Sequence, residues 1–358
     1  MTYDDPLASI AEEVPQFSDD DAISFVRERY GLDVSVRSLV SERDQNFQLR
    51  AADGRQFVLK IASGAEPHEV TDFQIQALIH IARYVADHGT PINAPEVLLT
   101  LDGKSHAMLA AADGEHVARV VSYVDGEPVG DRQPTTALCR NMGVYLAHLG
   151  QALRDFEHPG CDQKLLWDLQ QALGLRELLE HIPGDSTRRN VERALEDFEE
   201  HALPVFPTAR RQVIHSDFNP DNVLVDPNQP DVVVGVIDFG DMLEAPLIAD
   251  IAIGAAYAQP QEGNPLALVA ESLAGYHSIT PLLRYETDIL LELVKARLCA
   301  SVVLQYWRAS FREPGDPYLE KLLSGGSSLE EFLSQLADIP RESAIQMFRQ
   351  VCASEEQR

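Results

Sequence analysis

The sequence predicts an α+β protein: an antiparallel sheet with a helix near the N-terminus, then a larger and mostly helical part. Three observations carry this reading. Alternating and β-branched runs crowd residues 34–124, and helix-period apolar patterns dominate from residue 133 onward. Between residues 213 and 240, two apolar runs flank polar residues that a plain strand pair would not need. The length of 358 residues suits two domains. The expected division is an N-terminal extension and helix over 1–33, a sheet-bearing lobe over 34–124, and a helical lobe over 125–358.

Composition narrows the partners. A hydrophobic content of 45% and a charged content of 24% are ordinary for a soluble globular protein. With 57 acidic against 29 basic residues, the net charge of −28 repels nucleic acid and anionic membranes, so neither is an expected partner. Cys139, Cys161, Cys299 and Cys352 lack metal-type spacing, which suits a reducing cytoplasm. No apolar run reaches the length of a membrane span, and the start Met-Thr-Tyr-Asp-Asp lacks the basic-then-apolar form of a signal peptide. A cytoplasmic protein is expected, with nothing that fixes an oligomeric state.

The elements follow in order. After an acidic lead-in over 1–17, Ser18 caps a helix with Asp19, Asp20 and Asp21 in its first turn and Gly31 as its stop. Strands are expected at 34–41, 45–51 and 56–62, with the Asp53-Gly54 turn between the last two. A helix runs from Pro67 to Asp87 on a stripe of Val70, Phe73, Ala77, Leu78 and Ile81, closed by Gly89. Strands near 96–101, 105–111 and 117–124 complete the lobe, with Asp102-Gly103 and Asp113-Gly114 as turns. Helices are then expected over 135–153, 165–179 and 187–203. A hairpin over 222–237 follows, then an aperiodic stretch over 241–249 and a buried helix from Asp250. Further helices are expected near 264–277 and 281–310. Ser327-Ser-Leu-Glu330 reads as a capping box for a short helix ending before Pro340, and a last helix runs through Phe348.

The polar residues point to phosphoryl transfer. Asp217 and Asn222 are five residues apart, and Asp238 stands sixteen further on, at the end of the second apolar run. This is the spacing of a kinase catalytic loop and its metal-binding turn. One carboxylate takes the acceptor hydroxyl proton, while an amide and a second carboxylate hold Mg²⁺. Asp217 and His215 are therefore the candidate catalytic residues, the histidine chiefly as the group that fixes the loop. Asn222 and Asp238 are the candidate metal ligands.

Lys60 lies inside an otherwise apolar strand, where an unpaired cation is costly, and is assigned to nucleotide phosphates. Ser41 and Asn46, in and beside a loop without glycine, are further nucleotide candidates. Gln74 stands where a kinase places the glutamate that orients the lysine, with Glu69 as the alternative. Backbone groups from Ser122 to Val124 are placed at a purine edge. The loop reads His-Ser-Asp, and no Ala-Pro-Glu follows Asp238, which disfavours a eukaryotic-type protein kinase.

Several stretches together resemble the aminoglycoside phosphotransferase and choline kinase group of small-molecule kinases, and within it hydroxylysine kinase-like proteins. They are Ser41-Glu-Arg-Asp-Gln-Asn-Phe47, Phe57-Val-Leu-Lys-Ile61, His215-Ser-Asp-Phe-Asn219 with Asn222, Gly235-Val-Ile-Asp-Phe-Gly-Asp241 and Asp250-Ile-Ala-Ile-Gly-Ala-Ala-Tyr257. Arg297-Leu-Cys-Ala-Ser301 adds to the narrower likeness, and the resemblance covers roughly residues 20–312.

It implies a bilobal protein-kinase-like fold, Mg²⁺ with ATP or GTP, and an acceptor that is an amino alcohol or hydroxylated amino acid. The other acceptors of the group are aminoglycosides, choline or ethanolamine, and homoserine; the rival of another class is a nucleotide-binding pseudokinase. The sequence departs from the group at Ser216, often glycine there, and at Gln74, often glutamate. An amine-bearing acceptor needs carboxylates or aromatic faces, for which Asp241, Glu244, Asp250, Tyr257 and Trp307 are candidates. Arg297 or Arg308 is the candidate for an acceptor carboxylate.

Overall fold

The computed structural model describes residues 14–41, 43–111, 114–311 and 328–357. Glu42, Asp113, Ser327 and most of the acidic lead-in lie outside the described residues. Two compact units emerge: one of residues 1–89, 93–125 and 157–164, the other of 90–92, 126–156 and 165–358.

In the first unit, α1 (Asp19–Tyr30) starts at Ser18, whose hydroxyl accepts from the Asp21 amide while Asp21 accepts from the Ser18 amide. It ends on Gly31 at φ 68°, a left-handed cap that glycine adopts without strain. The expected cap, acidic turn and stop are all present. Five antiparallel strands follow: β1 (Val34–Leu39), β2 (Gln45–Ala51), β3 (Gln56–Ile61), β4 (Ala107–Ala111) and β5 (Gly114–Ser122), in the order β1-β2-β3-β5-β4. Phe47 and Leu49 of β2, Phe57, Leu59 and Ile61 of β3, and Ala118 and Val120 of β5 share one face. They bury it with Ala22, Phe25, Val26 and Tyr30 of α1. Alternation leaves Lys60 on the other face.

Helix α2 (His68–His88) buries the stripe its sequence predicts, and closes on Gly89 at φ 64°. The strand expected at 96–101 is reduced to a single bridge, Val97 to Val121. β5 pairs with β4 only as far as Ala118, so residues 96–98 cover the edge beyond it, bonding Leu98 to Val120 and Ser122 to Glu96. Pro95 on one side and the Asp102-Gly103 turn on the other leave no room for a longer ladder.

In the second unit, the two-residue strand β6 (Glu127–Pro128) precedes α3 (Thr136–Leu153), which is capped by the Thr135 hydroxyl accepting from the Leu138 amide. The segment expected as an α-helix over 165–179 is instead wound as 3₁₀ turns over Leu169–His181. Its buried residues Leu169, Ala172, Leu175 and Leu178 recur every third position, the period of a 3₁₀ helix. Asp168 caps it by accepting from the Gln170 amide. Helix α4 (Asp185–Asp197) is shorter than its charged pattern predicts and passes into one wide turn, Phe198–Ala202.

Strands β7 (Arg211–Ile214), β8 (Val223–Asp226), β9 (Gln229–Val236) and β10 (Leu243–Pro246) then form two small sheets, β10-β7 and β6-β8-β9. β10 falls in the stretch expected to be aperiodic; four residues ending at Pro246 are too few to show a period of two. Helix α5 (Leu247–Ala255) is buried along its whole length, and α6 (Ala267–Ile279) lies against α3.

The helix expected over 281–310 is broken into α7 (Arg284–Thr287) and α8 (Leu290–Ala309). Buried Glu286 caps the start of α7, its carboxylate accepting from the Leu283 amide and from Arg210. Along apolar α8, the charges Glu292 and Lys295 are buried and paired with Arg341 and Asp197, respectively. Helices α9 (residues 328–337) and α10 (Arg341–Glu355) end the chain. Among the described residues no helix is long and apolar enough to cross a membrane.

α3 and α6 meet backbone to backbone. A Cβ on Gly143 would lie 2.0 Å from the Ser272 carbonyl, and one on Gly275 would lie 2.0 Å from the Arg140 carbonyl. Gly143→Ala is therefore expected to cost about 3 kcal/mol in urea unfolding. Gly174→Ala, with nothing within 4 Å of the added carbon, should shift the midpoint far less. Equal effects at the two positions would refute the close crossing.

Candidate active site

The turn after β7 is strained and then tied down. Ser216 has φ 63°, a left-handed conformation that costs a side-chain-bearing residue on the order of 1 kcal/mol. Asp250, 2% exposed near the start of α5, accepts from the Ser216 amide at 2.9 Å and the His215 amide at 3.2 Å. Those two charge-assisted bonds hold the loop in a shape that glycine would enter without strain. Burial raises the Asp250 carboxyl to about 6, against the pull of the two amides. Asp250 therefore supports the loop from beneath and does not serve as the amine ligand its sequence position suggests.

His215 is fully buried. Its Nε2 lies 3.1 Å from the Ile237 carbonyl, which can only accept, so the ring carries its proton there, and Nδ1 accepts from the Asp217 amide at 3.3 Å. The ring packs edge-on against Phe239, centroids 4.9 Å apart. Burial lowers its pKa to about 4, although Asp238 and Asp241 pull the other way. A neutral ring with both nitrogens bonded to backbone is a strut between the loop and the residue before Asp238.

Asp217 is the hub. Its Oδ1 accepts from Asn219 at 2.9 Å and from Arg297 at 2.7 Å, and its Oδ2 accepts from Asn222 at 2.7 Å. Burial raises its carboxyl to about 7; the Arg297 charge opposes the rise, while Asp241 and Asp238 add to it. The Asn222 carbonyl accepts from the Ile237 amide at 2.9 Å, extending the β8-β9 ladder and bringing Asn222 beside the turn that carries Asp238. Asp238 is exposed and also left-handed, at φ 60°.

Asn222 spends its amide nitrogen on Asp217, which leaves its oxygen as a donor for a hard cation. Asn222 and the Asp238 carboxylate fit Mg²⁺, which takes one or two protein oxygens and completes its shell with phosphates and water. Among the described residues, no cluster of three His, Cys, Asp or Glu side chains forms a self-sufficient metal cage.

Arg297 reaches this hub from α8. Its Nε and Nη2 donate to the Tyr257 hydroxyl at 3.3 and 3.2 Å, and Tyr257 lies 3.4 Å from the Ser301 hydroxyl. Burial by itself would lower the Arg297 pKa; Tyr257 and Asp217 more than offset it and hold the guanidinium charged. Tyr257 and Arg297 are thus bonded at the hub, and the Asp241 charge acts on Asp217 from outside those bonds.

Three other candidates do not gather there. Glu244 is an exposed residue of β10 paired with Arg211 at 3.1 Å. Trp307 sits ten residues along α8 from Arg297, about 15 Å by helical rise, and packs against Phe311. Arg308 lies over the Trp167 ring at 5.6 Å.

The first unit holds a separate charged cluster. Asn46, Lys60 and Arg119 are direct cross-strand neighbours on β2, β3 and β5. Asp44 lies 3.8 Å from the Lys60 ammonium and 3.9 Å from the Arg119 guanidinium. Arg119 donates to Gln74, and Gln74 and Thr71 donate to Glu66 at 3.4 and 2.6 Å. Burial raises the Glu66 pKa, and the Asp44 charge adds to the rise.

Gln74 thus engages Arg119 and Glu66, and Glu69, the alternative partner for Lys60, is exposed. Asp44 and Glu66 are the cluster's carboxylates. Arg119 carried the same signal as Lys60, a cation inside an apolar strand, and the sequence reasoning missed it. Ser122 clasps Glu96, its amide donating to the Glu96 carbonyl and its hydroxyl accepting from the Glu96 amide at 2.9 Å. Its amide is therefore not available to a purine. Buried Val124 lies two residues past the end of β5, and Ser41 lies in the loop before β2.

The sequence profile of the Phosphotransferase enzyme family (APH) matches residues 35–282, from β1 to just past α6. The chain belongs to that family. This phosphotransferase is 27% identical over 361 residues to hydroxylysine kinase of Danio rerio, covering 96% of this chain and 100% of the relative. In fold it is similar to a microcompartment-associated aminopropanol kinase, with a TM-score of 0.66 at 18% identity over 95% of this chain and 99% of the other. It is similar also to an amicoumacin kinase solved with AMP-PNP and Ca²⁺, with a TM-score of 0.65 at 15% identity over 91% and 97% of the two chains. At those identities the structures establish that the phosphotransferase has a kinase-like fold.

Neutral burial makes His215 a source of acid lability. The unfolded ring binds a proton near pH 6.5 and the folded one only near 4, so its contribution is full above pH 6.5 and is lost as pH falls toward 4. Asp217 and Asp250, with raised pKa values, act in the opposite direction over overlapping ranges. The stability difference between wild type and His215→Gln should therefore narrow by about 3 kcal/mol between pH 6.5 and 4, read by urea unfolding. A difference constant with pH would show that the ring is not held neutral.

Proposed function

We propose that this phosphotransferase moves the γ-phosphate of ATP or GTP, with Mg²⁺, to a hydroxyl of a small amine-bearing acceptor, an amino alcohol or hydroxylated amino acid of the hydroxylysine type. One observation carries the reading: Asp217 is bonded to Asn222, and Asn222 is laddered to the residue before Asp238. Phosphoryl transfer requires a base, an amide oxygen and a second carboxylate near one another, so the arrangement supports this reading.

Asp217 orients the acceptor hydroxyl and takes its proton as the oxygen attacks the γ-phosphorus; the bond to the β-bridging oxygen breaks and the nucleoside diphosphate leaves. Asn222 and Asp238 hold Mg²⁺, which, when bound, neutralises charge on the phosphates. Lys60, with Asp44 close to its ammonium, is assigned to the nucleotide phosphates. Asp217 and Asp241 supply negative charge for an amine. The amino acid acceptor draws support from the hydroxylysine kinase relative, and the simpler amino alcohol from the aminopropanol kinase likeness. The four cysteines are free thiols, in keeping with the cytoplasmic location expected.

The test is Mg²⁺-dependent turnover with ATP and GTP against hydroxylysine, homoserine, ethanolamine, choline and kanamycin. Asp217→Asn should lower kcat on the order of hundredfold or more while nucleotide still binds. Nucleotide binding without turnover of any acceptor, in wild type as in the variant, would favour a non-catalytic nucleotide-binding protein. Lys60→Ala should raise the nucleotide KM about tenfold or more, the loss of one charge-assisted contact. An unchanged nucleotide KM would remove Lys60 from the phosphate site.

A further inference from the structure

Arg297 is an unusual neighbour for a base that must accept a proton beside a cationic amine. It is 6% exposed, so its burial carries a large desolvation penalty, and it lies directly on Asp217. If the acceptor carried only positive charge, this guanidinium would repel it at the point where the chemistry happens. The arrangement fits a ligand that carries both signs. The Asp217 carboxylate offers negative charge to its amine, and the Arg297 guanidinium beside it offers positive charge to its anion.

The donors of Arg297 are apportioned in keeping with that. Nη2 is shared by Asp217 and Tyr257, Nε is taken by Tyr257, and Nη1 makes no hydrogen bond among the described residues. The Tyr257 hydroxyl, steadied by Ser301 from the same helix as Arg297, fixes the plane of the fork. A guanidinium held in one plane with its Nη1 amino group to spare can donate a charge-assisted bond to a carboxylate oxygen.

We propose that Arg297, held by Tyr257, is the specificity-determining residue of the site and binds the carboxylate of the acceptor. The acceptor is then a hydroxylated amino acid, and bare amino alcohols and aminoglycosides are excluded as good substrates. This rests on the kinase reading above and narrows it. In the acceptor-free protein, Asp217 itself is the carboxylate on Arg297. The same guanidinium therefore touches the base and reads the acceptor.

The test uses two matched pairs that share the reacting hydroxyl and differ by the carboxylate: 5-hydroxylysine with 1,5-diaminopentan-2-ol, and homoserine with 3-aminopropan-1-ol. kcat/KM is measured for wild type, Arg297→Gln, Arg297→Lys and Tyr257→Phe, with nucleotide KM and acceptor-free nucleotide hydrolysis in the same preparations. Wild type should prefer the amino acid of at least one pair by roughly hundredfold or more, because a site built for an anion leaves a charge unpaired without it.

Arg297→Gln should reduce that preference to within about tenfold, and Arg297→Lys, which keeps the charge without the fork, should fall between. If Arg297→Gln does not fold, the lysine and Tyr257→Phe variants decide, since each must weaken the preference. Equal losses on both members of a pair would overturn the proposal and leave Arg297 as a positioning residue for Asp217. A raised nucleotide KM with the preference intact would overturn it in favour of a phosphate contact. Turnover of the amines as readily as the amino acids would overturn this inference alone. Absence of both nucleotide hydrolysis and transfer in wild type would overturn the kinase reading, and this one with it.

Discussion

Two consecutive backbone amides, those of His215 and Ser216, end on the carboxylate of Asp250, and the remaining geometry of the site follows from that contact. It pins a serine in a left-handed turn immediately before Asp217. The turn in turn places the His215 ring between its own loop and the Ile237 carbonyl, so the loop and the turn bearing Asp238 are joined through one neutral imidazole. A buried carboxylate without those amides would be unfavourable, and a left-handed serine without that carboxylate would relax. Each element is stable only with the other, so the loop has one conformation rather than several.

The first unit solves a different electrostatic problem. Lys60 and Arg119 are adjacent cations on one face of a sheet, and like charges directly opposite one another are destabilising. Asp44 lies close to both, and Gln74 and Glu66 continue the chain of contacts into α2. The neutral amide at position 74 suits this arrangement. It accepts from Arg119 and donates to Glu66 at once, which a carboxylate in its place could not do.

Much of this was legible in the sequence wherever periodicity or a special residue marks the backbone. The cap of α1, the stripe of α2, the Asp53-Gly54 turn and the spacing of Asp217, Asn222 and Asp238 rest on local chemistry. What was hidden depends on partners distant in sequence. Asp250 is an acid opening an apolar helix, and the pattern is the same whether it faces a ligand or a backbone turn. Its role appears only once α5 lies under residues 215 and 216. Glu244 reads equally well as an amine ligand, but its strand turns it toward Arg211. The 3₁₀ run was mistaken because leucines at steps of three and of three-or-four look alike over a dozen residues. Gln74 was aligned by analogy to a lysine partner, while the register of β5 supplied a second cation that claims it.

Helix α8 carries Glu292, Lys295 and Arg297 within six residues, all buried, each answered by a charge on a different element: Arg341, Asp197 and Asp217. Losing either member of such a pair strands a charge in the interior, whereas replacing both by apolar residues is often tolerated. The consequence is evolutionary. Positions 197, 292, 295 and 341 can drift only in concert, so they resist the single changes by which a lineage explores new substrates. Tyr257 and Ser301, which bear no charge and stand around the guanidinium, carry no such obligation. Acceptor preference in descendants of this chain should therefore change through them, with the helix and its charges inherited as a block.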